Sequence, residues 1–408
     1  MEITRRQFGA VAIAALAAEK SSAAEQGGGF VRASGKDLIT PDGRKLLLRG
    51  TNLGNWFEPE GYMFLFDKGP ESPREIEAFV NELIGPDAAE ALWRDYRQNY
   101  ITGADIQFLR ACGFNSVRIP LHWKFFTDDQ GFRILDPILA ECRAQKLWVV
   151  LDMHCAPGGQ TGTNIDDSWG YPWLYDDGKQ QELLITIWMR IAQRYRDETV
   201  ILGYDLLNEP IPHFAKLQKF NSRLEPLYKR VTQAIRAVDS NHIIILEAAQ
   251  WDTNFAVFGA PFDNNLLYEF HKYWMPPTQE QIRPYIDFRE RYNVPIWLGE
   301  SGENNDDWVR QFAQLLEKND IGWCFWPYKK MEKSSCVVSV VKPDHWSEII
   351  ALGEQTAGTG NAEKRIAGRP ADDICQAALT GLLANIQFRN CRVNHGYIEA
   401  LGLRAPKA

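Results

Sequence analysis

Glu209 follows the run Tyr204-Asp205-Leu206-Leu207-Asn208, and Glu300 closes Ile296-Trp297-Leu298-Gly299. Each is a carboxylate at the exit of a short apolar run that reads as a β-strand. A lone Glu after a strand is ordinarily a solvated loop residue. Two of them, on strands facing across one barrel mouth, form a working pair. One carboxylic acid can protonate a leaving oxygen while the other, ionised, attacks an anomeric carbon; breaking a glycosidic bond requires both. Glu247, ending another apolar run, and Glu303 are the rival carboxylates. Gly302 puts Glu303 out on a loop.

The pair has meaning only if the chain brings it together. Short apolar or β-branched runs recur at residues 45–50, 116–119, 147–153, 203–207, 242–246, 265–270, 295–298 and 322–326. Segments of helical period lie between most of them. Residues 180–196 and 217–238 are the clearest helices; 101–112, 137–146, 278–292 and 306–319 are shorter. Eight strands alternating with helices predict an α/β fold, a (β/α)8 TIM barrel. A doubly wound sheet would prefer a Gly-rich phosphate loop after an early strand, and none is present. Turn residues at Pro41-Asp42-Gly43 predict an N-terminal β-hairpin. Residues 353–408 predict a short helical extension, with a helix near 371–384, packed on the barrel. Residues 30–408 then form one domain. The connections after strands one and three are long and aromatic-rich, and barrel loops at that face carry function.

Motifs at successive strand exits resemble glycoside hydrolase family 5, the cellulase-like enzymes. The matching residues are Arg49 to Trp56, Gly113-Phe114-Asn115-Ser116-Val117-Arg118-Ile119-Pro120, Asp152-Met153-His154, Asn208-Glu209-Pro210, His271-Lys272-Tyr273, Glu300 and Trp326. The likeness covers roughly residues 30–350. It implies a retaining glycoside hydrolase, with Glu209 as general acid/base and Glu300 as nucleophile. It further implies that Arg118 and Tyr273 stabilise the ionised Glu300, and that Asn208 binds the sugar 2-hydroxyl. His154 and His271 would bind hydroxyls or orient their neighbours. Trp326 would be the sugar platform, with Trp56 a further contact. The implied substrate is a β-glucan or β-glucoside, with β-mannan or a glucosylated lipid as the alternative. A non-catalytic carbohydrate-binding barrel is remote, because both glutamates are present.

The third connection departs from the cellulase pattern. Ala156-Pro157-Gly158-Gly159-Gln160 after His154 resembles the exo-β-1,3-glucanase-like branch. Gln160, Asn164, Asp166 and Asp167 are its candidate hydroxyl partners, and such a loop closing one cleft end favours exo action. Trp56, Trp123, Trp169, Trp251 and Trp274 are candidate sugar-stacking residues.

Composition sets outer bounds. A net charge of −8 argues against a nucleic-acid partner, which needs a basic face. The expected partner is an oligo- or polysaccharide. No cofactor or metal-ligand pattern appears, and the expected reaction needs neither. Residues 1–24 read as an export signal: Arg5 and Arg6, an apolar run from Phe8, then Ser21-Ser22-Ala23-Ala24. Thr4-Arg5-Arg6-Gln7-Phe8 resembles a twin-arginine signal, with an ordinary secretory signal as the alternative. Residues 25–29 are a linker. The expected location is periplasmic or extracellular, with no membrane span. Seven cysteines leave at least one unpaired; Cys375 with Cys391 is the pairing left open.

Overall fold

The computed structural model describes residues 29–168, 170–356 and 362–406. The export-signal reading and Trp169 fall outside them.

Eight parallel strands close into a barrel. In chain order they are Arg49–Asn52, Ser116–His122, Trp148–Cys155, Ile201–Asp205, Ile243–Glu247, Leu266–His271, Ile296–Glu300 and Gly322–Phe325. The eighth pairs with the first, Cys324 opposite Gly50, which removes both sheet edges. Register decides which residues share the mouth. Asp152 stands opposite Asp205, Glu247 opposite Glu269, and His271 opposite Glu300. One layer near the C-terminal ends therefore carries charge, in an otherwise apolar barrel.

The first strand starts later than the sequence predicts. Lys45–Leu46 does not enter the barrel; it pairs with Asp37–Ile39, which pairs with Arg32–Ser34. The hairpin is thus a three-stranded sheet. Val31, Leu38 and Leu48 from this region pack with Val150, Ile245 and Trp297, closing the barrel floor.

Two helices in the first connection, Pro73–Ile84 and Pro86–Tyr100, escape the periodicity reading. Both carry Pro in the first turn, and Ser72 with Glu75 completes a capping box. Helices Gly178–Tyr195, Asn221–Arg236, Gln279–Tyr292 and Asp306–Lys318 lie close to their predicted positions. Their apolar faces cover the barrel's outer surface.

The tail packs on the same core. Helix Asp372–Asn385 buries Cys375, Leu379 and Leu382 against it, and Trp346 packs on Phe64 and Phe66. Lys329, fully buried, pairs with Asp105 at 2.6 Å and donates to the Ile386 carbonyl at 2.9 Å. This ties barrel, first connection and tail together. All seven cysteines are free; the sulfurs of Cys375 and Cys391 lie against backbone carbonyls instead of each other. Among the described residues no helix is long and apolar enough to cross a membrane.

Candidate active site

A cleft of about 790 Å³ opens at the C-terminal ends of the barrel strands. Its lining includes His154, Asn208, Glu209, His271, Tyr273, Glu300 and Trp326. Seven residues singled out from strand-end positions thus meet in one cavity.

Arg118, fully buried, organises the floor. Its guanidinium reaches Glu300 Oε1 at 2.6 Å, Glu247 at 2.7 Å, Asp205 at 2.8 Å and Asp152 at 3.2 Å. It also donates to Asn208 Oδ1 at 2.9 Å. A planar fork with five N–H donors suits this role; a lysine ammonium does not. Glu300 receives its second hydrogen bond, at 3.1 Å, from the Tyr273 hydroxyl on Oε2. Both its oxygens are therefore held.

Glu209 sits in another environment. Its backbone adopts a left-handed conformation, φ 45°, held by its N–H donating to Glu247 Oε2 at 2.6 Å. Such conformations in a non-glycine residue persist when the surroundings enforce them. Its Oε1 lies 2.9 Å from His271 Nδ1. Burial pushes the carboxyl up to about 7. Glu209, His271 and Glu300 each place a side-chain N or O within 4.8 Å of the others.

The hydrogen-bond pattern fixes the orientation of Asn208. Its Oδ1 accepts from Arg118, so its Nδ2 faces His154 Nε2 at 3.4 Å. His154 Nδ1 lies 2.8 Å from Asp152. A neutral imidazole with its proton on Nδ1 satisfies both neighbours. Burial holds His154 down at about 4, consistent with that neutral ring.

Glycines allow two close approaches. A Cβ on Gly299 would fall 1.3 Å from Glu269 Oε1, so only glycine lets the seventh strand deliver Glu300 past that carboxylate. A Cβ on Gly54 would fall 2.1 Å from the Trp326 ring. Trp326 lies parallel to His154, centroids 5.6 Å apart, and donates from Nε1 to the Tyr62 hydroxyl at 2.7 Å.

Five expected sugar contacts are corrected. Trp56 is core, 1% exposed, with its indole N–H on the Arg97 carbonyl at 2.7 Å. Gln160 lies beneath the cleft: its amide donates to the His154 and Asn208 carbonyls at 2.7 and 2.9 Å and accepts from Ala156 N–H. It shapes the third connection and is spent on backbone. Asp166 and Asp167 are likewise spent, on the N–H groups of Gln160 and Arg74. Asn164 alone of the four polar candidates in that loop lines the cleft, beside Thr163 and Ile165. Trp123 packs against the core, whereas Trp251 and Trp274 line the cleft.

The sequence reading passed over a buried acidic ring. Asp205, Asp252 and Glu269 join Asp152 and Glu247 around Arg118 and His271. For Asp205 and Glu269 the signal was an acid inside an otherwise apolar strand run; Asp252 lies in the short helix Ala249–Asp252 after the fifth strand. Burial raises the carboxyls of Glu247, Asp252 and Glu269 well above the usual range, and their acidic neighbours raise them further. Glu247, Asp252, Glu269 and His271 are close enough to share an ion. The counter-charge present is the Arg118 guanidinium.

A parallel barrel with paired carboxylates in a mouth-facing cleft is an architecture suited to cleaving a glycosidic bond. Residues 80–332 match the family model described as Cellulase (glycosyl hydrolase family 5), and the chain belongs to that family. It is 27% identical over 351 residues to a beta-xylosidase of Phanerodontia chrysosporium, covering 74% of this chain and 71% of that one. It is 27% identical over 280 residues to glucan 1,3-beta-glucosidase 2 of Wickerhamomyces anomalus, covering 64% and 63%. Its fold is similar to a crystal structure of endogalactoceramidase, TM-score 0.56 at 20% identity, covering 74% of this chain and 75% of that one. The enzyme acts on a carbohydrate substrate.

Proposed function

We propose that the enzyme hydrolyses a β-glucan or β-glucoside with retention of configuration, by double displacement. The observation that carries this is the close approach of Glu209 and Glu300, with side-chain oxygens inside 4.8 Å. Retaining enzymes hold their carboxyl groups ~5–5.5 Å apart; inverting ones leave ~6.5–9.5 Å for a water.

The two environments support distinct roles. Glu300, held on both oxygens by Arg118 and Tyr273, attacks the anomeric carbon. Glu209, raised by burial, carries the proton to the leaving oxygen and later takes one from water. Asn208 has one amide N–H on His154 and the other free for the sugar 2-hydroxyl. Trp326 and the third connection frame the bound sugar. The relatives named beta-xylosidase and glucan 1,3-beta-glucosidase support a β-glycoside substrate. The exposed Phe214 and Trp274 at the cleft rim favour a second reading, a β-glucoside with an apolar aglycone such as a lipid. Export from the cytoplasm, read from residues 1–24, is part of the same proposal.

The pH profile tests the roles. Glu209 must be protonated for the first step, so kcat/KM is expected to hold below about 7 and fall as pH rises through it. Glu209→Ala should lose that limb. It should also lose about 10²–10⁴-fold on substrates with poor leaving groups, and far less on dinitrophenyl glycosides. Survival of the alkaline limb in Glu209→Ala would remove Glu209 from the role.

Trp274 offers a second check. It is 70% exposed at the rim. A stacking contact there is worth ~0.5–1.5 kcal/mol. Trp274→Ala is expected to raise KM for oligosaccharides by about two- to tenfold, with kcat and aryl monoglycoside hydrolysis unchanged. An equal loss on both substrates would place Trp274 in folding.

A further inference from the structure

One tryptophan outside the cleft has no assigned work. Trp173 opens the 3-10 helix Trp173–Tyr175 of the third connection and is 50% exposed. Among the described residues its ring meets one other, Tyr171, with centroids 4.9 Å apart and planes at 59°. Its indole N–H makes no hydrogen bond among the described residues. A single exposed apolar side chain is ordinary on a protein surface. What sets this one apart is its mounting. Its backbone N–H donates to the Gly158 carbonyl at 3.0 Å, and its own carbonyl accepts from the Asp177 N–H at 2.8 Å. The next two residues, Leu174 and Tyr175, are buried in the core. The indole is held out into solvent on a fixed base.

Polar groups border the ring, and the surface runs on from the cleft. The Tyr171 hydroxyl donates to Asp176 at 2.6 Å and accepts from Lys219 at 3.1 Å. An apolar ring face edged by a hydroxyl, a carboxylate and an ammonium complements a pyranose, which has an apolar C–H face and a hydroxylated rim. Lys219 belongs to the 3-10 helix Ala215–Phe220, which begins directly after Phe214 on the cleft rim. Phe220, at the far end of that helix, packs against Tyr171 with centroids 6.1 Å apart. At the usual 3-10 rise, rim and platform lie on the order of 10 Å apart. The third connection links them as well: Thr163, Asn164 and Ile165 line the cleft, and Trp173 follows in the same connection.

We infer that Trp173 and Tyr171 form a second carbohydrate-binding site, outside the cleft, that holds a polysaccharide chain while another stretch of the same chain occupies the cleft. The ligand class is a neutral β-linked polysaccharide longer than the cleft. Trp173 takes the face of one sugar ring; its indole N–H, Asp176 and Lys219 take hydroxyls. The site touches no reacting atom. It raises the effective concentration of polymer at the cleft and leaves the chemistry unchanged. This inference takes its ligand class from the β-glucan reading above and deepens it, from glycoside to polymer.

The test uses the full chain carrying Glu300→Gln, which binds without turnover, in native gels containing soluble β-1,3-glucan, mixed-linkage β-1,3/1,4-glucan or β-mannan. Retardation by at least one polymer is expected. Adding Trp173→Ala should weaken that binding about two- to tenfold, and Trp173→Tyr should keep most of it. In the active enzyme, Trp173→Ala should raise KM on the same polymer by a similar factor. It should leave kcat/KM on an aryl monoglycoside and the Tm unchanged. Equal retardation with and without Trp173→Ala, or an equal loss on polymer and aryl monoglycoside, would overturn the inference. So would the absence of retardation by all three polymers. An enzyme retarded through Trp173 that cleaves no β-glucan would overturn the hydrolysis reading and support this site.

Discussion

Glu300→Gln is expected to lower kcat on an aryl β-glycoside by at least about 10⁴-fold, with KM nearly unchanged. The substitution keeps size and the Tyr273 and Arg118 contacts in outline. It removes the electron pair that attacks the anomeric carbon. An amide cannot form the glycosyl ester, and two neighbouring carboxylates are committed elsewhere: Glu303 is turned to Lys330, and Glu209 is bonded to His271. Glu300→Ala should regain activity with added azide, which fits the space vacated by the carboxylate. Residual activity within about tenfold of the parent would mean that Glu300 is not the nucleophile.

Arg118→Met is expected to destabilise the fold as well as stop catalysis. The guanidinium is the counter-charge for Asp152, Asp205, Glu247, Glu269 and Glu300, and four of those five are fully buried. Removing one partner of a buried ion pair costs ~3–5 kcal/mol, because the remaining charge stays desolvated. The sign of the pH dependence follows from linkage. Burial already raises the Asp152 and Asp205 carboxyls in the folded enzyme, and without Arg118 they rise further. A carboxyl raised on folding stabilises below its unfolded value, near 4, and that stability drains away as pH climbs through the folded value. The variant should therefore melt higher at pH 5 than at pH 8, by a wider margin than the parent. Arg118→Lys should restore little, because one ammonium cannot reach every member of the ring. Thermal melts across that pH range read the effect. A variant as stable as the parent at pH 8 would mean that the ring is balanced without Arg118.

The barrel was legible because its signals are local. Each strand is an apolar run, and the chemistry-bearing residues sit at or just past a run's end, except Arg118, a lone cation inside the second strand. Arg118, His154, Glu209, His271, Tyr273, Glu300 and Trp326 were found that way. What the sequence hid depends on direction. Trp56 follows a strand end as Trp326 does, but its indole turns inward to the Arg97 carbonyl. Gln160 looks like a hydroxyl partner until its amide is seen joined to two strand-exit carbonyls. The helices at 73–100 escape a reading for apolar period, although Pro73 and Pro86 mark both starts. Glu60 lies in a run with Glu58 and only the fold separates them: Glu58 accepts from the Asn55 N–H at 2.7 Å, whereas Glu60 faces the cleft. The acidic ring was readable residue by residue, but its convergence on Arg118 requires the closed register.

The paired roles of Glu209 and Glu300 are tested most directly by the anomer released in the first turnovers. Proton NMR of an aryl β-glycoside digest, recorded before mutarotation, separates the two outcomes. Double displacement through Glu300 releases the β-anomer first, with the α-anomer growing in only as the sugar equilibrates. Initial release of the α-anomer would mean direct attack by water, and would contradict the assignment of Glu300 as nucleophile.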